Sequence, residues 1–138
     1  MLANGAILEF KEKGKTSDAF KKLLGLKEIP ELGVEAEKVE NSPIDATHKM
    51  YEMGVGDLPD MVYKFSYDNT KADSPYRIMR DFAAAGTLLT FKETLKDGSI
   101  TQYDAQVSVK RTGGALNGVL EFELTMAVQS DFEYTDPA

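Results

Sequence analysis

Thr87–Leu95 (TLLTFKETL), Ser99–Arg111 (SITQYDAQVSVKR) and Val119–Val128 (VLEFELTMAV) decide the fold of this chain. Apolar side chains recur at every second position: Leu89 and Phe91; Tyr103, Ala105, Val107 and Val109; Leu120, Phe122, Leu124, Met126 and Val128. A period of two is that of a strand with one buried face. Lys96-Asp97-Gly98 separates the first two runs, and Thr112–Gly118, with three glycines, separates the last two. Both are hairpin turn signals, so the three runs form an antiparallel meander. Its other face carries Gln102, Asp104, Gln106, Ser108 and Lys110, then Glu121, Glu123 and Thr125. That face is left for water or a polar partner.

Just upstream, Ser74-Pro75 opens a helix over 74–85, with Ser74 as N-cap, Pro75 at the first helical position and Gly86 as its stop. Ile78, Met79, Phe82 and Ala85 make one apolar stripe, while Arg77, Arg80 and Asp81 turn to solvent. Before it, Met61–Tyr67 (MVYKFSY) alternates Met61, Tyr63, Phe65 and Tyr67 against Lys64 and Ser66, which predicts another strand. Residues 41–59 read as a long inter-strand loop that carries Ile44, Met50, Tyr51, Met53, Val55 and Leu58. This is more apolar matter than a solvated linker tolerates. Either it folds back as a hairpin on its own core or a partner subunit covers it. Further out, Glu28–Asp45 reads as an acidic, solvated strand region, Ser17–Leu24 as one or two helical turns, and Ala6–Lys13 as a half-buried strand with Leu8 and Phe10 inward. The fold expected is mainly β (α+β): an antiparallel β-sandwich or partly closed barrel with one flanking helix, a single domain over 1–138.

Composition narrows the function. With 138 residues, 42% hydrophobic and 28% charged, the chain has enough material for one core. It holds no run near the roughly 18 apolar residues of a membrane span and no basic-then-apolar leader, so a soluble protein made in the cytoplasm is expected. The absence of cysteine removes disulfides, thiolate nucleophiles and zinc-thiolate sites, and His48 is the single histidine. A net charge of −7 argues against a grip on nucleic acid, though not against a conduit through which DNA slides without sticking.

No catalytic template is complete. His48 lacks a cysteine partner, and no serine stands in a Gly-x-Ser-x-Gly elbow. Glu121 and Glu123, two apart on one strand, look like any solvated face. Gly54-Val55-Gly56 and Gly113-Gly114 are turn glycines rather than a phosphate cradle, and Asp57, Asp60, Asp68 and Asn69 lack the ligand spacing of a calcium loop. The expectation is no enzyme, no metal and no cofactor.

The order of several segments resembles the tail-tube proteins of long-tailed phages, the siphophage family that includes the phage lambda major tail protein. The resembling features are Ile29-Pro30-Glu31-Leu32-Gly33 before an acidic strand, Ile44-Asp45-Ala46-Thr47-His48-Lys49-Met50-Tyr51 with glycines after it, and Gly56-Asp57-Leu58-Pro59-Asp60 before an aromatic strand ending in Tyr67-Asp68. The helix closing at Gly86 and the final hairpins follow in the same order. The resemblance implies a virion structural protein, made and assembled in the bacterial host cytoplasm. Copies would close into hexameric rings that stack into a hollow tube, joined by tape-measure and tail-terminator proteins, with DNA as a passenger. By the same analogy Ile44, Met50, Tyr51, Met53, Val55 and Leu58 make the ring-stacking contact, and Asp104, Glu121 and Glu123 are candidates for the lumen. The chain stops soon after its last predicted strand, without the extra immunoglobulin-like domain of some members, so surface decoration is not implied. Two other readings compete: the tube of a contractile injection or type VI secretion system, and a small-molecule-binding barrel lined by Tyr63, Phe65, Tyr67, Tyr103 and Phe122.

Overall fold

The computed structural model describes residues 1–14, 19–33, 35–40, 51–57, 60–116 and 118–137. Strands β1 (Ile7–Glu12), β2 (Lys21–Leu23), β3 (Leu26–Glu28), β4 (Glu35–Glu40), β5 (Tyr51–Asp57) and β6 (Met61–Ser66) precede helix α1 (Pro75–Ala85). Strands β7 (Leu89–Thr94), β8 (Ile100–Arg111), β9 (Glu121–Val128) and β10 (Glu133–Thr135) follow it. Eight strands form one antiparallel sheet in the order β2-β1-β7-β8-β9-β6-β3, with β10 also on β8, and the sheet curls into a half-barrel. Of the two architectures expected, the partly closed barrel is the one formed.

The meander is where the alternation puts it. Phe91 stands opposite Tyr103, Ala105 opposite Val128 and Val109 opposite Leu124. The twelve-residue β8 is longer than either neighbour needs: Ile100–Ala105 pairs with β7 and Ala105–Arg111 with β9. This stagger lets a short sheet curl rather than lie flat. Leu8, Phe10, Tyr63, Phe65, Leu89, Phe91, Phe122, Leu124 and Met126 close the concave face, and α1 seals it with Met79. Phe82 meets Phe10 edge-on at 5.9 Å, and Tyr76 meets Phe122 at 5.4 Å.

Helix α1 begins and ends where expected, with one difference. Gly86 adopts φ 68°, a left-handed cap that only glycine enters without strain, and its N–H donates to the Ala83 carbonyl at 3.3 Å. Ser74 holds the N-cap position, but its Oγ makes no bond to the helix and instead accepts from the Lys71 N–H at 3.1 Å, closing the preceding turn.

Three expectations need correction. Ser17–Leu24 is not helical where described: Lys21–Leu23 is edge strand β2, because burying Leu23 opposite Leu8 outweighs a short helix's weak propensity. The long loop 41–59 is cut short, since Tyr51–Asp57 forms β5 and pairs with β4, with a bulge between Ala36 and Lys38. Gly54 and Val55 stand against the single Glu37 there, and a glycine suits the extra residue such a bulge inserts. Leu120, placed inward by alternation, is 39% exposed, because β9 begins only at Glu121 and the hairpin end lies beyond the core.

Candidate functional site

Two surfaces remain once the core is closed: the convex, solvent face of the curled sheet and the separate β4–β5 ribbon. On the first, Asp104 of β8 is held on every side. Thr90 Oγ1 donates to its Oδ1 at 2.7 Å, and Lys13 Nζ lies 2.8 Å from Oδ2. Its backbone N–H donates to Ser130 Oγ, and its carbonyl accepts from Gln129 N–H, both at 2.8 Å. Partial burial opposes ionisation, but the bonds from Lys13 and Thr90 outweigh it and hold the carboxyl below the usual range; Lys13 is raised in turn by Asp104. Glu121 lies 3.6 Å from Lys27, and Glu123 stands in register between Lys64 and Lys110. The three candidate lumen acids therefore share the convex face without forming one cluster. Asp104 is six residues along β8 from the position opposite Glu123, roughly 20 Å at a strand's rise. Each has a lysine beside it, so this wall is close to neutral.

The concave side hides a charged group that the sequence reading did not single out. Glu93 follows Leu89 and Phe91 in phase, and it is 2% exposed. Tyr63 OH donates to Glu93 Oε2, and Tyr103 OH donates to Tyr63 OH at 2.8 Å. Burial pushes the Glu93 carboxyl up, with the Tyr63 bond opposing, and burial also pushes both phenols up. The chain of hydrogen bonds ties β7, β8 and β6 through three side chains that an apolar core would otherwise leave unpaired. Reading its phase would have found Glu93; nothing in the local pattern names Tyr63, thirty residues away.

Of the candidate stacking residues, Tyr51, Met53 and Val55 are placed on β5, while Ile44, Met50 and Leu58 lie outside the described residues. His48 lies outside them too. Among the described residues the ribbon forms no ladder with the larger sheet. At the β8–β9 hairpin end Leu116 is 99% exposed. Of the aromatic residues proposed to line a ligand cavity, Tyr63, Phe65, Tyr103 and Phe122 instead fill the core, Phe65 and Phe122 stacking at 5.1 Å, while the half-buried Tyr67 packs on Tyr76 at 4.8 Å. A cleft of about 480 Å³ opens on the convex side, lined by Lys11, Lys13, Asp104, Asp131 and Glu133 among others, and of those aromatics it takes only Tyr103. Among the described residues, no three histidines or carboxylates gather as a metal site would need.

No protein-family model and no curated protein matches this sequence. Solved structures do. A chain in the tail of an empty gene transfer agent particle, refined with helical C6 symmetry, superposes with a TM-score of 0.71 at 22% identity, over 97% of this chain and 99% of that one. The chain shares their fold. A chain of the six-fold symmetrised anti-feeding prophage baseplate gives 0.72 at 9% identity, covering 99% and 95%. A chain of an extracellular contractile injection system's sheath–tube complex gives 0.67 at 10% identity, covering 96% and 88%.

Proposed function

We propose that this chain is the structural subunit of a phage-like tail tube, and that six copies close into a ring and rings stack into a conduit. The supporting observation is end-to-end likeness in fold to chains of a C6-symmetric particle tail and of a six-fold symmetrised baseplate. A half-barrel whose edge strands, among the described residues, are β2 and β3 is also what ring closure consumes, since neighbours can cover edges that otherwise invite aggregation. Asp104, Glu121 and Glu123 would then face the lumen with lysines between them, so passing DNA would meet a wall with little net charge to hold it. Tyr51, Met53 and Val55, with Ile44, Met50 and Leu58, would make the contact between rings. The order of segments noted in the sequence favours a siphophage tube, with a tape measure inside and a terminator at its end. A subunit of a contractile system is the second reading, favoured by likeness to the sheath–tube complex.

Electron microscopy of the concentrated, purified chain tests the proposal: rings or tubes are expected, and a monomer at every concentration and salt would overturn it. Adding a sheath protein separates the two readings, because only a contractile tube should be decorated along its length.

A further inference from the structure

The charge of the chain is not spread evenly. Residues 28–60 carry nine carboxylates and two lysines, while the rest of the molecule balances, with fourteen of each sign. The net −7 therefore belongs to the segment that holds β4 and β5. Immediately before it, residues 11–27 carry six lysines and two acids. Two consecutive stretches thus have opposite sign, and the fold assigns them to different surfaces.

The acidic stretch becomes a ribbon of two strands whose extended pairing, among the described residues, is with itself. A two-stranded hairpin is marginal in water unless something covers it. Its seven residues of β5 give a reach of roughly 20 Å at a strand's rise. The basic stretch becomes the β2 edge and the convex surface beside it. Lys21 and Lys22 are exposed on β2, and Leu24 just beyond is 65% exposed. Behind them the Lys11 and Lys92 ammonium groups sit 4.8 and 5.4 Å from the centre of the half-buried Phe20 ring. Glu9 stands in register between Lys22 and Lys92. The result is a surface with an apolar centre at Phe20 and Leu24 and a lysine rim, the composition of a contact patch.

We infer that the acidic β4–β5 ribbon of one copy docks on the lysine-rimmed β2 edge, around Phe20, of a second copy. The argument is charge complementarity, joined, among the described residues, to a ribbon whose two strands pair only with each other and to an edge strand paired on one side. Ribbon and edge are different surfaces, so the contact is heterologous and repeats from copy to copy instead of stopping at a pair. Lysines on an edge strand also keep sheets from adding to one another by accident, and here they would admit one partner of opposite sign and repel others. This inference rests on the tube reading and names the contact that reading needs.

The test uses the full chain. Lys21→Glu with Lys22→Glu places acid against acid, and Glu35→Lys with Glu37→Lys places base against base. Each variant alone should raise the concentration needed for assembly at least about tenfold, because like charges across an interface oppose docking. Mixed one to one, the two variants should assemble again, and their assembly should fall as salt rises. Thermal melts and circular dichroism of the separate variants should match the parent, Lys21 and Lys22 being exposed on β2 and Glu35 and Glu37 being charged residues of the ribbon strand β4. A parent that assembles while either variant assembles equally well would overturn the docking and leave the tube reading standing. Two inactive variants that fail to rescue each other would also overturn it. A parent that never assembles would remove the tube reading and the inference together.

Discussion

The curled sheet and the β4–β5 ribbon are built from the same kind of strand and reach opposite solutions. In the sheet, every second residue goes into a core with α1, and the polar face that remains is laced by lysine–carboxylate neighbours such as Lys13–Asp104, Lys27–Glu121 and Lys64–Glu28. The ribbon pairs only within itself among the described residues and lies in the segment, residues 28–60, that carries the chain's charge excess. One region is finished by its own chain. For the other we propose a second copy, since backbone hydrogen bonds alone contribute little net stability against water.

Five variants would break or sharpen this contrast. Phe122→Ala removes a ring packed on Phe65 and Tyr76 and should cost the sheet about 3–5 kcal/mol, read as a lower urea midpoint with an unchanged slope. A loss below about 1 kcal/mol would mean the concave face is not the tight core described.

Tyr63→Phe should cost about 1–3 kcal/mol, because it leaves the buried Glu93 carboxyl without its donor and the Tyr103 hydroxyl without its acceptor. Glu93→Gln tests the same site through pH. The folded carboxyl is raised above its ordinary 4.5, so its contribution to stability is complete below that value and is lost as pH rises through the folded pKa. The parent should therefore weaken relative to Glu93→Gln as pH climbs from 4.5 towards neutrality, in denaturant titrations of both. Parallel curves would show that Glu93 is not held neutral.

Asp104→Asn should cost at most about 1 kcal/mol, since Lys13 is 54% exposed and solvent screens the pair. The sign of its pH dependence is opposite: with the carboxyl depressed below 3.8, its contribution is present above that value and lost as pH falls through the folded pKa. Smallest in the monomer is Met50→Asp with Met53→Asp, with a melting temperature within error of the parent. In concentrated protein the same pair should abolish tubes, because a carboxylate cannot be desolvated cheaply in an apolar contact. Intact tubes would remove the ribbon region from the stacking surface.

Local patterns carried much of this molecule. The alternation over 87–128 determined three strands and which of their faces is buried, because period two and the glycine turns are properties of a few neighbouring residues. Pro75 and Gly86 determined the helix ends for the same reason. The missing cysteine, the single histidine and the charge of −7 bounded the chemistry before any coordinate was considered.

Tertiary structure decided what joins distant segments. It set β7 between β1 and β8, β6 against β9, and Lys13 beside Asp104, ninety-one positions along the chain. It turned Lys21–Leu23 into an edge strand, because Leu8 across the ladder offers Leu23 a burial no isolated turn of helix provides. It also made Glu93 tolerable inside the core, since a buried carboxyl survives only where the fold brings a donor to it, and that donor is Tyr63 on β6. Pairing partners are selected by the packing of the whole sheet, which no window of neighbouring residues contains.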